Sequence, residues 1–583
     1  MTSVPTALRA CALLLLLAAH LRVATASVRP HIIFIVADDL GWNDVSFHGS
    51  DQIPTPNIDA LAFNGIILNN HYVQPVCTPT RASLMTGRYP IHLGMQGYPL
   101  MAAEPRGMPE GKILPQYLKD LGYVTRAVGK WHLGYYRKQM TPTFRGFDSH
   151  FGYYGGFVSY YDYILQDVYN GTPYSGFGLR RNLSVAWDKV GQYATDVFTE
   201  EAVSVIEQHD DRDPLFLYLA HVAPHAGNRG KLLEAPQDVI NRFPYIPDPD
   251  RRTYAAMIAK LDESVGRVMT ALQDRDMLDN SIVVFISDNG APTIGTYPNW
   301  GSNWPLRGVK ETLWEGSVKG VAFMWSNLLH QTPRVSHQLM HVSDWLPTLY
   351  SAAGGNTLDL ARNMDGVDQW ESLLYNLVSR RDEVLINIDE KTRNAAIRLH
   401  NWKLVIGTTR GGRYDGYFGA SGREDPATPP YNATAVVESP AGAALAHAML
   451  VRFRRPTRED VIATLRASAT VRCEPNSTFN APPCNPAQSG EPCLYDVASD
   501  PCELNNLART YGNVALHLRQ QLVRRRAGLV PQANLPVDAA GADPRRWNFT
   551  WIPWGECSPP PGDPQLCVPT PLPNRPSDYP VSS

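Results

Sequence analysis

The chain alternates short, unbroken apolar runs with longer amphipathic ones. His31-Ile32-Ile33-Phe34-Ile35-Val36, Pro214-Leu215-Phe216-Leu217-Tyr218-Leu219-Ala220 and Ser281-Ile282-Val283-Val284-Phe285-Ile286 are continuous hydrophobic stretches, the pattern of strands covered on both faces. Between them, Asn57 to Phe63, Leu114 to Leu121, Thr195 to Gln208 and Tyr254 to Asp274 place apolar residues at spacings of three and four, which predicts helices packed on a sheet. Strand and helix alternate, so the first part of the chain is expected to be α/β. After about residue 395 the texture changes. Ala395-Ala396-Ile397-Arg398 and Trp402-Lys403-Leu404-Val405-Ile406 read as short strands, and proline and cysteine become more frequent.

At 583 residues the chain exceeds one ordinary core, so two domains are expected, the larger first. The predicted division is a leader over 1–26, an α/β domain over 27–395, a smaller α+β domain with an antiparallel sheet over 396–546, and a proline-rich tail over 547–583 tethered by Cys557 and Cys567. The leader combines Arg9, an apolar run from Leu13 to Ala19 and the small-residue triplet Ala24-Thr25-Ala26. That is the form of a cleavable secretory signal, too short to span a bilayer. No later run approaches the length of a membrane helix, so no stable membrane insertion is expected.

A secretory route changes how the cysteines read. Cys473, Cys484, Cys493, Cys502, Cys557 and Cys567 form an even set near the C-terminus, expected to pair as disulfides of undetermined connectivity. Cys11 leaves with the leader, and Cys77 stands some four hundred residues from the others without a neighbouring partner. Glycosylation sequons begin at Asn170, Asn182, Asn432, Asn476 and Asn548 and fit the same route. A net charge of -3 offers no basic footprint, which argues against a nucleic-acid partner.

Candidate chemistry gathers just after the buried strands. Asp38 and Asp39 follow the first run, Asp288 and Asn289 the last, and His221 and His225 the Leu215 run. In open α/β sheets ligands collect outside the carboxyl ends of strands, so these groups are expected to converge. Asp38, Asp39, Asp288 and Asn289 offer hard oxygen ligands, which suit calcium or magnesium rather than zinc. Lys130 and His132 in Gly129-Lys130-Trp131-His132 share a face if a strand from Tyr123 extends that far. Together they could bind an anionic oxygen and move a proton.

One set of motifs is more specific. Cys77-Thr78-Pro79-Thr80-Arg81 followed by Leu84-Met85-Thr86-Gly87-Arg88 resembles the signature of the type I sulfatases, whose cysteine is converted to formylglycine before folding. Gly129-Lys130-Trp131-His132-Leu133-Gly134 is similar to that family's second signature. The resemblance covers about residues 30 to 410 and continues more weakly through Cys493-Leu494-Tyr495-Asp496 and Asp500-Pro501. Pro305-Leu306-Arg307-Gly308-Val309-Lys310 and Leu313-Trp314-Glu315-Gly316 look most like the arylsulfatase B branch of the family.

The resemblance implies an alkaline-phosphatase-like fold, a large mixed sheet between helices with a smaller C-terminal sheet domain. It implies that Asp38, Asp39, Asp288 and Asn289 bind one calcium ion, with the modified side chain of Cys77 close to it. Arg81 would hold that side chain, and Lys130, His132, His225 and Lys310 would surround a sulfate. His225 rather than His221 stands at the family's spacing. A formylglycine-generating enzyme becomes a maturation partner, and a lysosomal or secreted destination is expected.

The chemistry explains the modification. An aldehyde hydrate has one hydroxyl to attack sulfur and a second whose collapse expels sulfate, whereas a thiol adduct has no internal route to release it. His225 or Lys310 is the candidate acid for the leaving alcohol, and His132 the candidate base for the collapse.

Two departures stand out. No cysteine lies between Cys77 and Cys473, and Phe157 occupies a place where many relatives carry a sulfate-binding serine, with Ser159 two residues later. The expected activity is a calcium-dependent sulfatase acting on sulfated carbohydrate, led by N-acetylgalactosamine 4-sulfate esters, with small aryl or dietary sulfates second. The alternative is a secreted binding protein that keeps the fold and leaves Cys77 unmodified. A phosphatase of the same fold is disfavoured, because such enzymes usually place Ser or Thr beside a histidine-rich two-metal site.

Overall fold

A computed structural model describes residues 29–423, 425–473 and 484–556. The leader, the sequon at Asn476, and Cys557 and Cys567 lie outside the described residues.

The unbroken apolar runs form the centre of a ten-stranded mixed sheet. Ser281–Ser287, His31–Ala37, Leu215–Ala220 and Val124–Lys130 lie side by side and parallel. Ile33 pairs with Leu217 on one side and Val283 on the other. All residues of strands His31–Ala37, Leu215–Ala220 and Ser281–Ser287 are buried, as both-face coverage requires. Ala322–Ser326 adds an antiparallel neighbour beyond Ser281–Ser287, which makes the sheet mixed.

The predicted helices form with shifted ends. Pro56–Asn64, Ala194–Glu207, Pro249–Asp274 and Pro440–Val451 pack together as one layer, and Cys77–Thr86, Leu114–Asp120 and Trp345–Ala352 as another. Pro249–Asp274 starts five residues before the apolar periodicity does. The Asp248 side chain accepts from Arg251 N and Pro249 occupies the first turn, an N-cap and N1 pair that sets the start independently of burial.

A second sheet of four antiparallel strands comprises Glu383–Asp389, Asn394–Leu399, Trp402–Ile406 and Cys493–Asp496. Helix Gly512–Arg526 backs it, with Leu518 and Leu522 in one cluster with Ile397, Leu404 and Leu494. This sheet begins upstream of residue 396, and helix Pro440–Val451 packs back on helices Pro56–Asn64 and Pro249–Asp274, where Ala441 N donates to Asn57 Oδ1 at 3.0 Å. Cys473 pairs with Cys502 and Cys484 with Cys493, while Cys77 is free and buried.

The two sheets are joined through a buried charge. Lys403 Nζ lies 3.0 Å from Glu315 Oε1 and 2.8 Å from Glu503 Oε1, all side chains fully enclosed. Tyr72 donates to Glu315 Oε2 at 2.7 Å, and Glu315 N donates to Glu503 Oε2 at 2.8 Å. Removing the cation strands two buried carboxylates. Lys403→Met is expected to cost roughly 3–5 kcal/mol, read as a lowered thermal unfolding midpoint; an unchanged midpoint would show that this buried charge does not hold the two sheets together.

Candidate functional site

Four parallel strands deliver their carboxyl ends to one place. Asp38 and Asp39 follow His31–Ala37, Asp288 and Asn289 follow Ser281–Ser287, His225 follows Leu215–Ala220, and Lys130 ends Val124–Lys130. Gly129 permits the approach of the last two strands. It has φ +96°, and a Cβ there would stand 1.9 Å from Ala220 O. Asp39 and His132 both adopt left-handed backbone, with φ of 63° and 55°, a conformation that side chains other than glycine seldom take outside special sites.

The strand from Val124 ends at Lys130, so the period-two expectation does not reach His132. The turn nevertheless brings both side chains inward: Lys130 Nζ donates to Asp38 Oδ2 at 2.6 Å, and His132 Nδ1 lies 3.2 Å from Cys77 Sγ. Trp131 turns away and donates to Gly134 O at 3.1 Å.

Cys77 opens the helix Cys77–Thr86 and is 2% exposed. The first turn is fastened at both sides. Thr78 Oγ1 donates to His132 O at 3.1 Å, and Thr80 Oγ1 donates to Asp288 O at 2.6 Å. One turn on, Arg81 Nε and Nη2 donate to Asp288 Oδ2 at 3.1 and 2.8 Å, and Nη1 reaches Tyr218 Oη at 3.3 Å. Burial pushes the Cys77 thiol pKa up against the opposing pull of Lys130 and Lys310, so the thiol is not a ready nucleophile.

The remaining residues converge on Asp39. Lys310 Nζ and Asn289 Nδ2 each donate to Asp39 Oδ1 at 2.6 Å, Asp39 N donates to Asp288 Oδ1 at 3.2 Å, and His225 Nε2 stands 3.4 Å from Asp39 Oδ2. His221 is elsewhere, with Nε2 2.9 Å from Ser264 Oγ against the long helix. Asp38, Asp39 and Asp288 thus face Arg81, Lys130 and Lys310, formally balanced.

Three oxygens in this balanced cluster, Asp38 Oδ1, Asp39 Oδ2 and Asn289 Oδ1, are buried without a hydrogen-bond partner. Buried polar atoms are normally satisfied, so their grouping fits a hard cation. Metal-capable atoms of Asp38, Asp39 and His225 also lie within 4.8 Å of one another. Asp288 differs, since both its oxygens already accept hydrogen bonds. Burial, then Asp288, push the Asp38 carboxyl above its usual range, as crowding of buried carboxylates does.

The imidazoles have definite orientations. His132 Nε2 lies 2.9 Å from Leu100 O. A carbonyl only accepts, which assigns the ring proton to Nε2 and leaves the Nδ1 lone pair facing Cys77. Burial, then Lys130, hold His132 far below its usual pKa. His225 Nδ1 lies 2.6 Å from Ala226 O, so its Nε2 lone pair faces Asp39. Burial lowers His225 to about 3.

Phe157 does not reproduce a hydroxyl site. Its ring stacks on His225 at 5.5 Å, with Tyr297 beyond it at 5.2 Å. Ser159 Oγ is engaged locally by Asp162 Oδ1 and Ile164 O, away from the cluster. The long-range partners of Asp39 and the stacking partner of Phe157 were not legible in sequence. The signal available was the aromatic crowding of Tyr153-Tyr154-Gly155-Gly156-Phe157 beside the second signature. Outside the buried cluster, a cleft is lined by Val76, Tyr98, Glu311, Asn387, Asn394 and Arg410.

Parallel strands ending in a shared cluster of carboxylates and cations, with a buried helix-start cysteine, define a hydrolase-type centre of the alkaline-phosphatase-like class. Residues 30–355 match the Sulfatase family, and the chain belongs to it. Arylsulfatase J of Mus musculus is 42% identical over 65% of this chain and 64% of its own length. N-acetylgalactosamine-6-sulfatase of Homo sapiens is 33% identical over 59% of this chain and 66% of its own length. The match therefore spans slightly less than two thirds of each relative. The structure of Ps i-CgsB in complex with k-i-k-neocarrahexaose superposes with a TM-score of 0.65 at 26% identity, covering 89% of this chain and 97% of that one.

The local engagement of Ser159 separates two roles. Ser159→Ala is expected to cost about 1 kcal/mol of stability and to leave KM for a sulfate ester within about twofold. Phe157→Ala, which frees the His225 ring, is expected to raise KM by up to about tenfold. Steady-state kinetics on both variants check this, and a KM rise confined to Ser159→Ala would reverse the assignment.

Proposed function

We propose that the chain hydrolyses sulfate esters, with position 77 carried as formylglycine and one calcium ion held by Asp38, Asp39, Asn289 and Asp288. The observation that carries this reading is the contact between the Cys77 side chain and the basic nitrogen of a neutral His132, inside a ring of Lys130, Lys310 and Arg81. The cation would polarise a sulfate oxygen, and an aldehyde hydrate at position 77 would supply a hydroxyl for attack and a second for release.

The chain's own residues account for the rest. Lys130 and Lys310 place fixed positive charge beside residue 77, where negative charge grows on sulfate oxygens. Arg81, locked to Asp288, keeps the helix start at that position. His132, with its proton committed to Leu100 O, accepts a proton at Nδ1 from the residue-77 side chain. For the departing alcohol, His225 is neutral with its proton turned toward Ala226 O, so the protonated Lys310 Nζ is the better donor. Lys310 is held above its usual range by Asp39 despite burial.

The substrate reading is a sulfated amino sugar, with N-acetylgalactosamine 4-sulfate first. For the sugar, though not for the position of the sulfate, it is supported by the name of the human relative, N-acetylgalactosamine-6-sulfatase, and a cleft lined in part by Gln96, Asn387, Asn394 and Arg410 lies beside Val76. The leader, the sequons and the disulfides support a secretory route to a lysosomal or secreted destination, with modification of Cys77 by a formylglycine-generating enzyme on the way.

Two experiments test this reading. Sulfate release should be seen with N-acetylgalactosamine 4-sulfate and compared with the 6-sulfate and a simple aryl sulfate. No release from any of them would remove the activity, whereas preference for another ester would replace only the leading substrate. Calcium at about 100 times its Kd should stabilise the fold by roughly 2.7 kcal/mol. Because burial and Asp288 hold the Asp38 carboxyl above its usual range, calcium binding should be accompanied by proton release, and affinity should weaken as pH falls. Calorimetry in buffers of different ionisation enthalpy reads this, and binding without proton release would contradict the assignment of Asp38.

A further inference from the structure

Helix Pro440–Val451 ends in side chains that a soluble surface gains nothing by showing. Leu450 is 60% exposed, Val451 57% and Phe453 99%. Phe453 N donates to Leu450 O at 2.9 Å and Arg454 N to Met449 O at 2.9 Å, so the chain wraps the helix terminus and Phe453 takes a left-handed φ of 55°. That position usually falls to glycine. A phenylalanine there is strained, and its ring packs on nothing in return.

The tip is held in place by neighbouring elements. Arg452 pairs with Asp279 at 2.7 Å, Arg454 bonds Thr332 Oγ1 and Asn327 O, and Asn327 Nδ2 donates to Ala448 O at 2.9 Å. Arg455 is exposed. Among the described residues neither Arg454 nor Arg455 has a carboxylate partner, so the apolar tip sits in net positive charge. The 327–338 segment also bonds a second exposed apolar turn, through His330 N to Leu374 O at 3.0 Å and Gln338 Nε2 to Leu377 O at 2.9 Å. Val378 in that turn is 86% exposed.

We propose that Leu450, Val451 and Phe453, ringed by Arg452, Arg454 and Arg455, dock the protein reversibly on an anionic lipid surface. Apolar side chains at the acyl boundary with arginines at the headgroups are the composition that such contacts require. A sulfated glycan would use the arginines but not three bare apolar groups. A second copy placed face to face would bring like charges together.

The sheet register fixes the orientation. Ser326 pairs with Ile282 in antiparallel sense, so the segment that holds the tip leaves the sheet at the amino end of Ser281–Ser287. Asp288 and the Cys77 cluster stand at its carboxyl end. Docking through Phe453 therefore turns the catalytic cluster toward water, and the inference does not depend on which sulfate ester is hydrolysed.

Co-flotation of the purified chain with vesicles of phosphatidylcholine, with and without phosphatidylserine, tests the proposal. Binding is expected only with phosphatidylserine, weakening as salt rises. Phe453→Gly should reduce it by about tenfold or more without lowering the thermal midpoint, since glycine suits the left-handed position. Arg455→Glu should reduce it separately. No binding to either vesicle would overturn the proposal, as would binding indifferent to Phe453→Gly. So would self-association in sedimentation that is lost in Phe453→Gly, which would assign the tip to a second copy.

Discussion

Everything at the centre of this molecule depends on burying three carboxylates together. Asp38, Asp39 and Asp288 are fully enclosed, and charges taken out of water persist only with close opposite charges and satisfied oxygens. Arg81, Lys130 and Lys310 meet that requirement from three separate segments. The helix start carrying Cys77 is therefore tied to the ends of the strands from His31, Val124 and Ser281. The thiol is positioned by charge neutralisation through Arg81 together with the hydroxyls of Thr78 and Thr80 in its own first turn.

The same constraint accounts for the oxygens left over. Each cation takes one carboxylate oxygen, while Asp38 Oδ1, Asp39 Oδ2 and Asn289 Oδ1 keep no hydrogen-bond partner. A divalent cation would satisfy them, and the added positive charge would then be complementary to an anionic ester. Binding of the metal and of a sulfate are in this sense one electrostatic problem.

Much of this was legible in the sequence because it sits on strong signals. The apolar runs at Ile32, Leu215 and Ile282 became central strands, and the acidic and basic residues just after them became the cluster, since parallel strands share a carboxyl end. The leading edge of the Pro249–Asp274 helix was missed because a cap set it rather than apolar periodicity. Long-range detail was also out of reach. Ser159 could be placed near the signature by spacing, but only the fold shows its hydroxyl committed to Asp162 and Phe157 lying on His225. The Phe453 tip escaped notice for another reason: nothing in Leu450-Val451-Arg452-Phe453 says that the helix stops there and leaves the ring bare.

A buried thiol with a raised pKa, facing a neutral imidazole, is a poor nucleophile for an ester sulfur, so the account stands or falls on the chemical identity of residue 77. Mass spectrometry of the peptide spanning Cys77, from protein secreted by a host able to carry out the modification, tests this most directly. An aldehyde is expected at that position, seen by its mass and by capture with a hydrazide. An intact cysteine thiol in the active, calcium-loaded protein would contradict it.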